Sequence, residues 1–150
     1  MIVDANILIY AVDENSEHHT VAKNWLTNAL NGPTRVGIPW VSLIAFQRIT
    51  THPRIYANPL SPATASDIMD AWTQLPNVWI PAPGKHHGRL LRMLTSESGA
   101  RGNLVTDAHL AALALEHGTS VVSFDAEFSK FADIHWENPL VHRTTPSAPA

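Results

Sequence analysis

Short apolar runs alternate with helix-forming stretches along the chain, and this alternation restricts the possible folds more than any other feature. The runs at 1–3, 35–39, 78–80 and 119–124 predict buried strands, and 135–136 predicts an edge strand. The stretches between them predict helices at 16–30, 40–50, 62–74, 85–96 and from residue 103 to a stop at Gly118. This alternation predicts an α/β protein with a short, mostly parallel sheet of four to five strands and helices on both faces.

The chain is expected to form one domain followed by a short tail. With 150 residues it can bury a core without disulfides or other cross-links, and we assign residues 1–140 to that domain. Residues 141–150 include Thr-Thr-Pro-Ser-Ala-Pro-Ala and are predicted to be disordered.

Composition excludes several kinds of chemistry. The chain has no cysteine, which rules out disulfides, thiolate zinc sites and cysteine nucleophiles and is consistent with a reducing cytoplasm. The first residues have no basic region and their apolar run is broken at Asp4, so they do not predict a signal peptide. No apolar run approaches the ~20 residues of a membrane-spanning helix, so we expect a soluble, cytoplasmic protein without a membrane partner.

The charge pattern leaves two interpretations open. A net charge of −3 argues against a broadly basic nucleic-acid-binding protein. Most of the lysines and arginines nevertheless fall between Arg48 and Arg101, whereas the acids concentrate towards the two ends. This segregation indicates either a basic rim around an acidic site or scattered, solvated charges.

Three aspartates fall where an α/β fold gathers ligands. Asp4 and Asp125 each follow a predicted strand, so both are expected at the carboxyl edge of the sheet. Asp107 is predicted in the first turn of the helix that Asn103 would cap, beside its apolar stripe. Each also has a structural interpretation, because aspartate caps helices well and an acid in the first turn interacts favourably with the helix dipole.

The convergence of the three aspartates favours a metal site over three separate caps. Crowded like charges raise one another's pKa unless a cation neutralises them. Oxygen ligands without cysteine select Mg²⁺ or Mn²⁺ over zinc. An ion held in this way activates water and stabilises charge on a phosphate, which suits phosphodiester hydrolysis.

Three ordered motifs give the chain a family resemblance. They are Val-Asp-Ala-Asn at 3–6, Asn-Leu-Val-Thr-Asp-Ala-His-Leu-Ala-Ala-Leu-Ala at 103–114 and Ser-Phe-Asp-Ala-Glu-Phe-Ser-Lys-Phe at 123–131. Together they resemble the acidic motifs of PIN domains, and the chain is similar over about residues 1–140 to VapC-type toxins of toxin–antitoxin pairs. The resemblance therefore extends over the whole predicted domain.

The resemblance implies a Mg²⁺- or Mn²⁺-dependent endoribonuclease that cuts RNA, often tRNA or rRNA. It also implies a cognate antitoxin that inhibits the enzyme, and a homodimer that joins the antitoxin in a larger complex. Carried over by motif, Asp4, Asp107 and Asp125 would hold the metal, and Asn6 and Thr106 would orient ligands or water.

One position departs from the family pattern. Many PIN domains carry a further glutamate in the helix predicted at 40–50, where this chain has Ala45. Ser42 shares the helix face of Ala45 and is predicted to bind a water on the metal. The departure leaves three acids rather than four, which disfavours a second ion and leaves the number of metals, one or two, open. Arg48, on the same helix, is expected to contact RNA near the site or to form a structural salt bridge.

The histidines and tryptophans are expected to have mainly structural roles. His109 is predicted to face solvent rather than to bind a ligand. His86 and His87 are expected on a solvated helix face, with contact to RNA phosphates as the alternative. The tryptophans are expected in the core and at interfaces rather than as stacking platforms for RNA.

Two other functions remain as alternatives to the nuclease. The first is a PIN-like RNA- or protein-binding module that has lost catalysis through Ala45. The second is a phosphotransferase of the haloacid dehalogenase type, which needs a second aspartate at the position of Asn6 and is therefore disfavoured.

Overall fold

The computed structural model describes residues 1–141 and contains one five-stranded sheet. Its strands are β1 (Ile2–Val3), β2 (Val36–Gly37), β3 (Val78–Trp79), β4 (Val121–Val122) and β5 (Trp136–Glu137). Their order is β3-β2-β1-β4-β5, and every neighbouring pair is parallel. The predicted parallel α/β sheet is therefore confirmed.

Helices fill the intervals between the strands. They are α1 (Ala5–Val12), α2 (His19–Asn31), α3 (Trp40–Thr50), α4 (Pro62–Thr73), α5 (His87–Ser98) and α6 (Asn103–Glu116), and a 3-10 helix spans Ala126–Lys130. The prediction that Asn103 caps α6 is wrong: Asn103 is the first helical residue, and Gly102 is the N-cap. Gly118 follows the end of α6 with φ of 63°, as expected for a glycine that stops a helix.

Both faces of the sheet are covered, because successive residues of a strand point to opposite sides. Ile2 and Val121 belong to a buried apolar cluster with residues of α5 and α6. Val3 and Val122 belong to a second buried cluster with residues of α1, α2, α3 and α4. The predicted helices on both faces are confirmed.

The register of β1 and β4 brings their carboxyl ends together. Ile2 pairs with Val121 and Val3 with Val122, and the amide of Asp4 donates to the carbonyl of Val122 at 3.0 Å. The polar residues that follow the two strands therefore begin at the same level of the sheet edge.

Every helix within residues 1–141 is too short or too polar to cross a membrane. The predicted disordered tail lies outside the described residues from position 142 onward.

Candidate active site

Asp4 is both a helix cap and the centre of a polar network. Its Oδ1 accepts a hydrogen bond from the amide of Ala5 at 2.7 Å, so Asp4 does cap α1. Its Oδ2 accepts bonds from the Ser123 hydroxyl at 2.6 Å and the Asn6 amide at 3.2 Å. Burial raises the pKa of Asp4, the bonds from Ser123 and Ala5 oppose that rise, and the charge of Asp125 adds to it.

Asn6 and Ser123 hold the ends of β1 and β4 together. The Asn6 side chain donates to Ser123 Oγ at 2.9 Å and accepts from the amide of Phe124 at 3.2 Å. Ser123 is completely buried, and its Oγ also accepts from the amide of Asp125 at 3.0 Å. Sequence reasoning missed Ser123. The available signal was a small hydroxyl residue directly after the apolar pair Val121-Val122 and two residues before Asp125.

Asp107 approaches this network from α6. It is the fifth residue of the helix, and no acid lies in the first turn, so the first-turn prediction is wrong and the helix dipole does not explain it. Its carboxylate makes no hydrogen bond or ion pair within residues 1–141. Burial raises the pKa of Asp107 to about 7, and the charges of Asp4, Asp125 and Glu127 contribute to the rise.

Asp125 and Glu127 complete the acidic cluster. Asp125 caps the 3-10 helix, with Oδ1 accepting from the amide of Glu127 at 2.9 Å. Glu127 is half exposed and pairs with Lys130 at 3.2 Å. Sequence reasoning also missed Glu127, although its position two residues after Asp125 was a usable signal.

The donor chemistry of the cluster fits a hard divalent cation. Its groups are carboxylates with a flanking amide and hydroxyl, and no basic side chain is among the causes that set the pKa of Asp107. As the side chains stand, no three acidic or histidine residues in the described part of the chain are arranged around one ion. Asp107 is free of hydrogen bonds among these residues, and Asp125 accepts with one oxygen only, so both can turn towards a cation.

The supporting residues have different settings. Ser42 is buried, and its hydroxyl donates to the carbonyl of Val3 at 2.7 Å, which fixes α3 against the residue before Asp4. Its predicted bond to a water on the metal stays a prediction. Thr106 is exposed beside Asp107 on α6. Arg48 is exposed in the last turn of α3 and forms no salt bridge within residues 1–141, so the alternative of a structural salt bridge is not found there. Its predicted RNA contact stays a prediction.

The structure corrects the expected exposure of two histidines. His109 is half-buried rather than solvent-facing, with Nδ1 at 2.9 Å from His87 Nε2. His87 is buried rather than on a solvated face, and its Nδ1 lies 3.4 Å from a carboxylate oxygen of Glu116. That carboxylate also accepts from the amides of Gly84 and His86, so it anchors the start of α5. Burial and the neighbouring His87 lower the pKa of His109.

The fold and the site together define an α/β protein whose acidic cluster lies at the carboxyl ends of β1 and β4. Residues 1–134 match the PIN domain, and the chain belongs to that family. Ribonuclease VapC37 of Mycobacterium tuberculosis is 42% identical over 138 residues, which cover 92% of this chain and 96% of the relative. Ribonuclease VapC33 of the same species is 36% identical over 140 residues, covering 93% of this chain and 98% of that protein.

Solved structures show the same fold. The DNA-bound VapBC of Salmonella typhimurium includes a chain with a TM-score of 0.62 and 18% identity, covering 92% of this chain and 96% of that one. VapBC2 of Rickettsia felis, bound to a DNA fragment from its promoter, includes a chain with a TM-score of 0.61 and 17% identity. The match covers 91% of this chain and 96% of that one.

Proposed function

We propose that this protein is a Mg²⁺-dependent endoribonuclease and the toxin of a type II toxin–antitoxin system. The observation that carries the proposal is the acidic cluster. Asp107 is near the carboxylates of Asp4, Asp125 and Glu127, its pKa is raised to about 7, and no basic side chain of the described residues is among the causes of that rise. The curated relatives named as VapC ribonucleases support RNA as the substrate class, with tRNA and rRNA as candidates.

Asp4, Asp107 and Asp125 would hold Mg²⁺, with Mn²⁺ as an alternative ion. The ion supplies activation of water and stabilisation of negative charge on the phosphate. Asn6 and Ser123 orient Asp4 through their hydrogen bonds, and Ser42 fixes the backbone before it. Thr106 lies on the exposed side of Asp107, where it can contact RNA or water.

A single ion fits this cluster better than two. Ala45 removes the carboxylate that many PIN domains carry on α3. Glu127 lies near Asp107 but is half exposed and already paired with Lys130, so it is a weak replacement.

The similar solved structures and an exposed apolar face of α3 both support protein partners. The structural neighbours are VapBC complexes, which supports a cognate antitoxin. Trp40 and Ile44 lie one turn apart on α3 and are 55% and 57% exposed, so α3 offers an apolar face to an antitoxin or to a second copy in a homodimer. We place the complex in the cytoplasm.

The test is cleavage of total tRNA and rRNA by purified protein, with Mg²⁺ and with EDTA. Asp107→Asn is the informative variant, because Asp107 makes no hydrogen bond within the described residues and its loss should leave the fold intact. We expect a loss of more than about 100-fold in rate. Asp133→Asn, at an exposed acid outside the cluster, is the control and should cleave normally.

The second candidate function is a non-catalytic PIN-like binding module. It is favoured by Ala45 and by the lack of three ligands arranged around one ion in residues 1–141. Wild-type protein that binds RNA but cuts none of it with Mg²⁺ or Mn²⁺ would support this candidate over the nuclease.

A further inference from the structure

Three aromatic rings from separate parts of the chain contact one another, and one of them belongs to the residue before Asp125. Tyr10 lies in α1, His18 precedes α2, and Phe124 follows β4. The rings of His18 and Phe124 are stacked, with centroids 5.0 Å apart and planes 12° from parallel. Tyr10 is tilted against both, at 5.4 Å from His18 and 5.5 Å from Phe124. We refer to these three residues as the aromatic cluster.

The aromatic cluster is fixed to the same hydrogen-bond network as the carboxylates. Phe124 stands in the chain between Ser123 and Asp125, and its amide donates to the Asn6 side chain that also bonds Asp4. Consecutive Cα atoms are about 3.8 Å apart, so the Phe124 side chain leaves the backbone one residue before that of Asp125. The backbone of Phe124 is therefore held at the same strand end as Asp4 and Asp125.

The rings are neither fully buried nor fully solvated. Tyr10 and Phe124 pack on one side against the apolar cluster around α1, and both remain partly exposed. The His18 side chain is 27% exposed and makes no capping bond to α2. Its Nε2 lies 3.5 Å from Oε1 of Glu17, whose side chain is 87% exposed.

A neighbouring contact braces the aromatic cluster. Tyr56, in the loop after α3, donates to Asp13 Oδ2 at 3.2 Å, and Asp13 is the C-cap of α1. This bond holds the loop beside Tyr10. Burial raises the pKa of Tyr56 to about 12, with Asp13 and Tyr10 contributing, so the phenol stays protonated and keeps this bond.

We propose that the aromatic cluster stacks a base of single-stranded RNA next to the scissile phosphate. The inference rests on the proposed function and adds a positioning element to it. The net charge of −3 gives little general attraction for phosphates, so stacking would supply binding that charge does not. Stacking tolerates any base, because every base has a π-face, and proteins that recognise unpaired RNA commonly use it.

The test measures binding without cleavage, using the full chain with Asp107→Asn. The probes are a fluorescein-labelled 12-nucleotide oligoadenylate and an abasic ribose-phosphate chain of the same length. We expect tighter binding of oligoadenylate. His18→Leu and Phe124→Leu should each weaken oligoadenylate binding by roughly 10-fold and leave abasic binding unchanged. His18→Phe, which restores a ring without nitrogen, should recover the affinity.

A matched control uses a histidine that contacts an aromatic ring elsewhere in the fold. His117 packs edge-on against Trp79 at 4.9 Å, away from the carboxylates, so His117→Leu should change neither affinity. Circular dichroism checks the fold, and if Phe124→Leu unfolds, the His18 pair decides the result. The inference is overturned if the leucine variants lose affinity equally for both probes or lose none. It is also overturned if neither probe binds measurably, or if His18→Phe fails to recover the affinity for oligoadenylate.

The outcome is separable from that of the proposed nuclease. If wild-type protein fails to cleave RNA but binds oligoadenylate more tightly than the abasic chain, the stacking role is supported and the nuclease is not. The protein would then be a binding module. Cleavage of RNA without any difference in affinity between the two probes would contradict the stacking role of the aromatic cluster and support the nuclease.

Discussion

The three aspartates show that a capping role and a functional role can coincide in one residue. Asp4 and Asp125 both cap the helical segments that follow them, as the capping interpretation of the sequence predicted. Their charges nevertheless act on each other and on Asp107, and the strands before them are neighbours in the sheet. Asp107 has neither a capping bond nor a favourable place at the helix dipole, so its position is explained best by the cluster.

Asp107 should make the metal-free protein less stable as pH rises. Its folded-state pKa of about 7 lies above the ordinary value of about 4. Between these values the folded protein holds a proton that the unfolded chain releases. The free energy of unfolding therefore falls as pH rises from about 4 to 7. Thermal melts in EDTA should show this decline between about pH 5 and pH 7.5.

The matched variant is Asp107→Asn, which cannot titrate. Its melting temperature should fall less over the same pH range, and the remaining slope belongs to other groups, including Asp4, whose pKa is also raised. At pH 7.5, Mg²⁺ should raise the melting temperature of the wild type more than that of the variant, because a ligand stabilises the state that binds it. Identical slopes for the two proteins would contradict the assignment.

Ser123 should matter more for stability than its size suggests. Its buried hydroxyl donates to Asp4 and accepts from Asn6 and from the amide of Asp125. Ser123→Ala leaves those partners unsatisfied, so we expect a loss of about 1–3 kcal/mol in urea denaturation. Ser129→Ala, at an exposed serine whose hydroxyl bonds the carbonyl of Ala126 within the 3-10 helix, should stay within about 0.5 kcal/mol of wild type. Equal effects of the two substitutions would argue against a special role for Ser123.

At the scale of elements, the start of α6 determines where Asp107 lies. Gly102 is the N-cap, with φ of 57° and ψ of −129°, a conformation that residues with a Cβ rarely adopt. The sequence pattern favoured Asn103 as the cap because asparagine caps helices well. With the cap at Gly102, Asp107 is the fifth residue of the helix and lies beyond the first turn.

Two glycine substitutions should have opposite effects. Gly102→Ala forces a side chain into a positive-φ conformation and should destabilise the protein by about 1–3 kcal/mol. Gly88→Ala lies inside α5 with no atom within 4 Å of the added Cβ, and should stabilise by about 0.5 kcal/mol by restricting the unfolded chain. Chemical denaturation of both variants measures the difference. A neutral Gly102→Ala would mean that this backbone conformation is not needed to start α6.

The sequence predicted elements better than it predicted contacts between them. The predicted helix at 40–50 coincides with α3, and the parallel alternation fixed the sheet edge on which Asp4 and Asp125 lie. The position of Ser123 after the apolar pair was a local signal, but its bond to Asp4 depends on the register between β1 and β4, which local sequence does not specify. The His87–His109 contact was missed for the same reason, since it depends on how α5 packs against α6.

At the scale of the molecule, the two apolar clusters depend on one thin sheet. Each strand is only two residues long, so the backbone ladder contributes few hydrogen bonds. Ile2 and Val3 are adjacent, yet they belong to opposite clusters, and Val121 and Val122 repeat this arrangement. Loss of either cluster therefore exposes the strands that support the other, and the site at their ends is lost with them.

This arrangement predicts a single cooperative unfolding transition. Leu43 and Leu110 are buried in different clusters on opposite faces of the sheet, so Leu43→Ala and Leu110→Ala each remove core packing from one face only. Each should cost about 2–5 kcal/mol. Far-UV circular dichroism and tryptophan fluorescence should shift together in both variants, and the two costs should add in the double variant because the sites do not touch. Two transitions, each displaced by only one of the substitutions, would mean that the faces unfold separately.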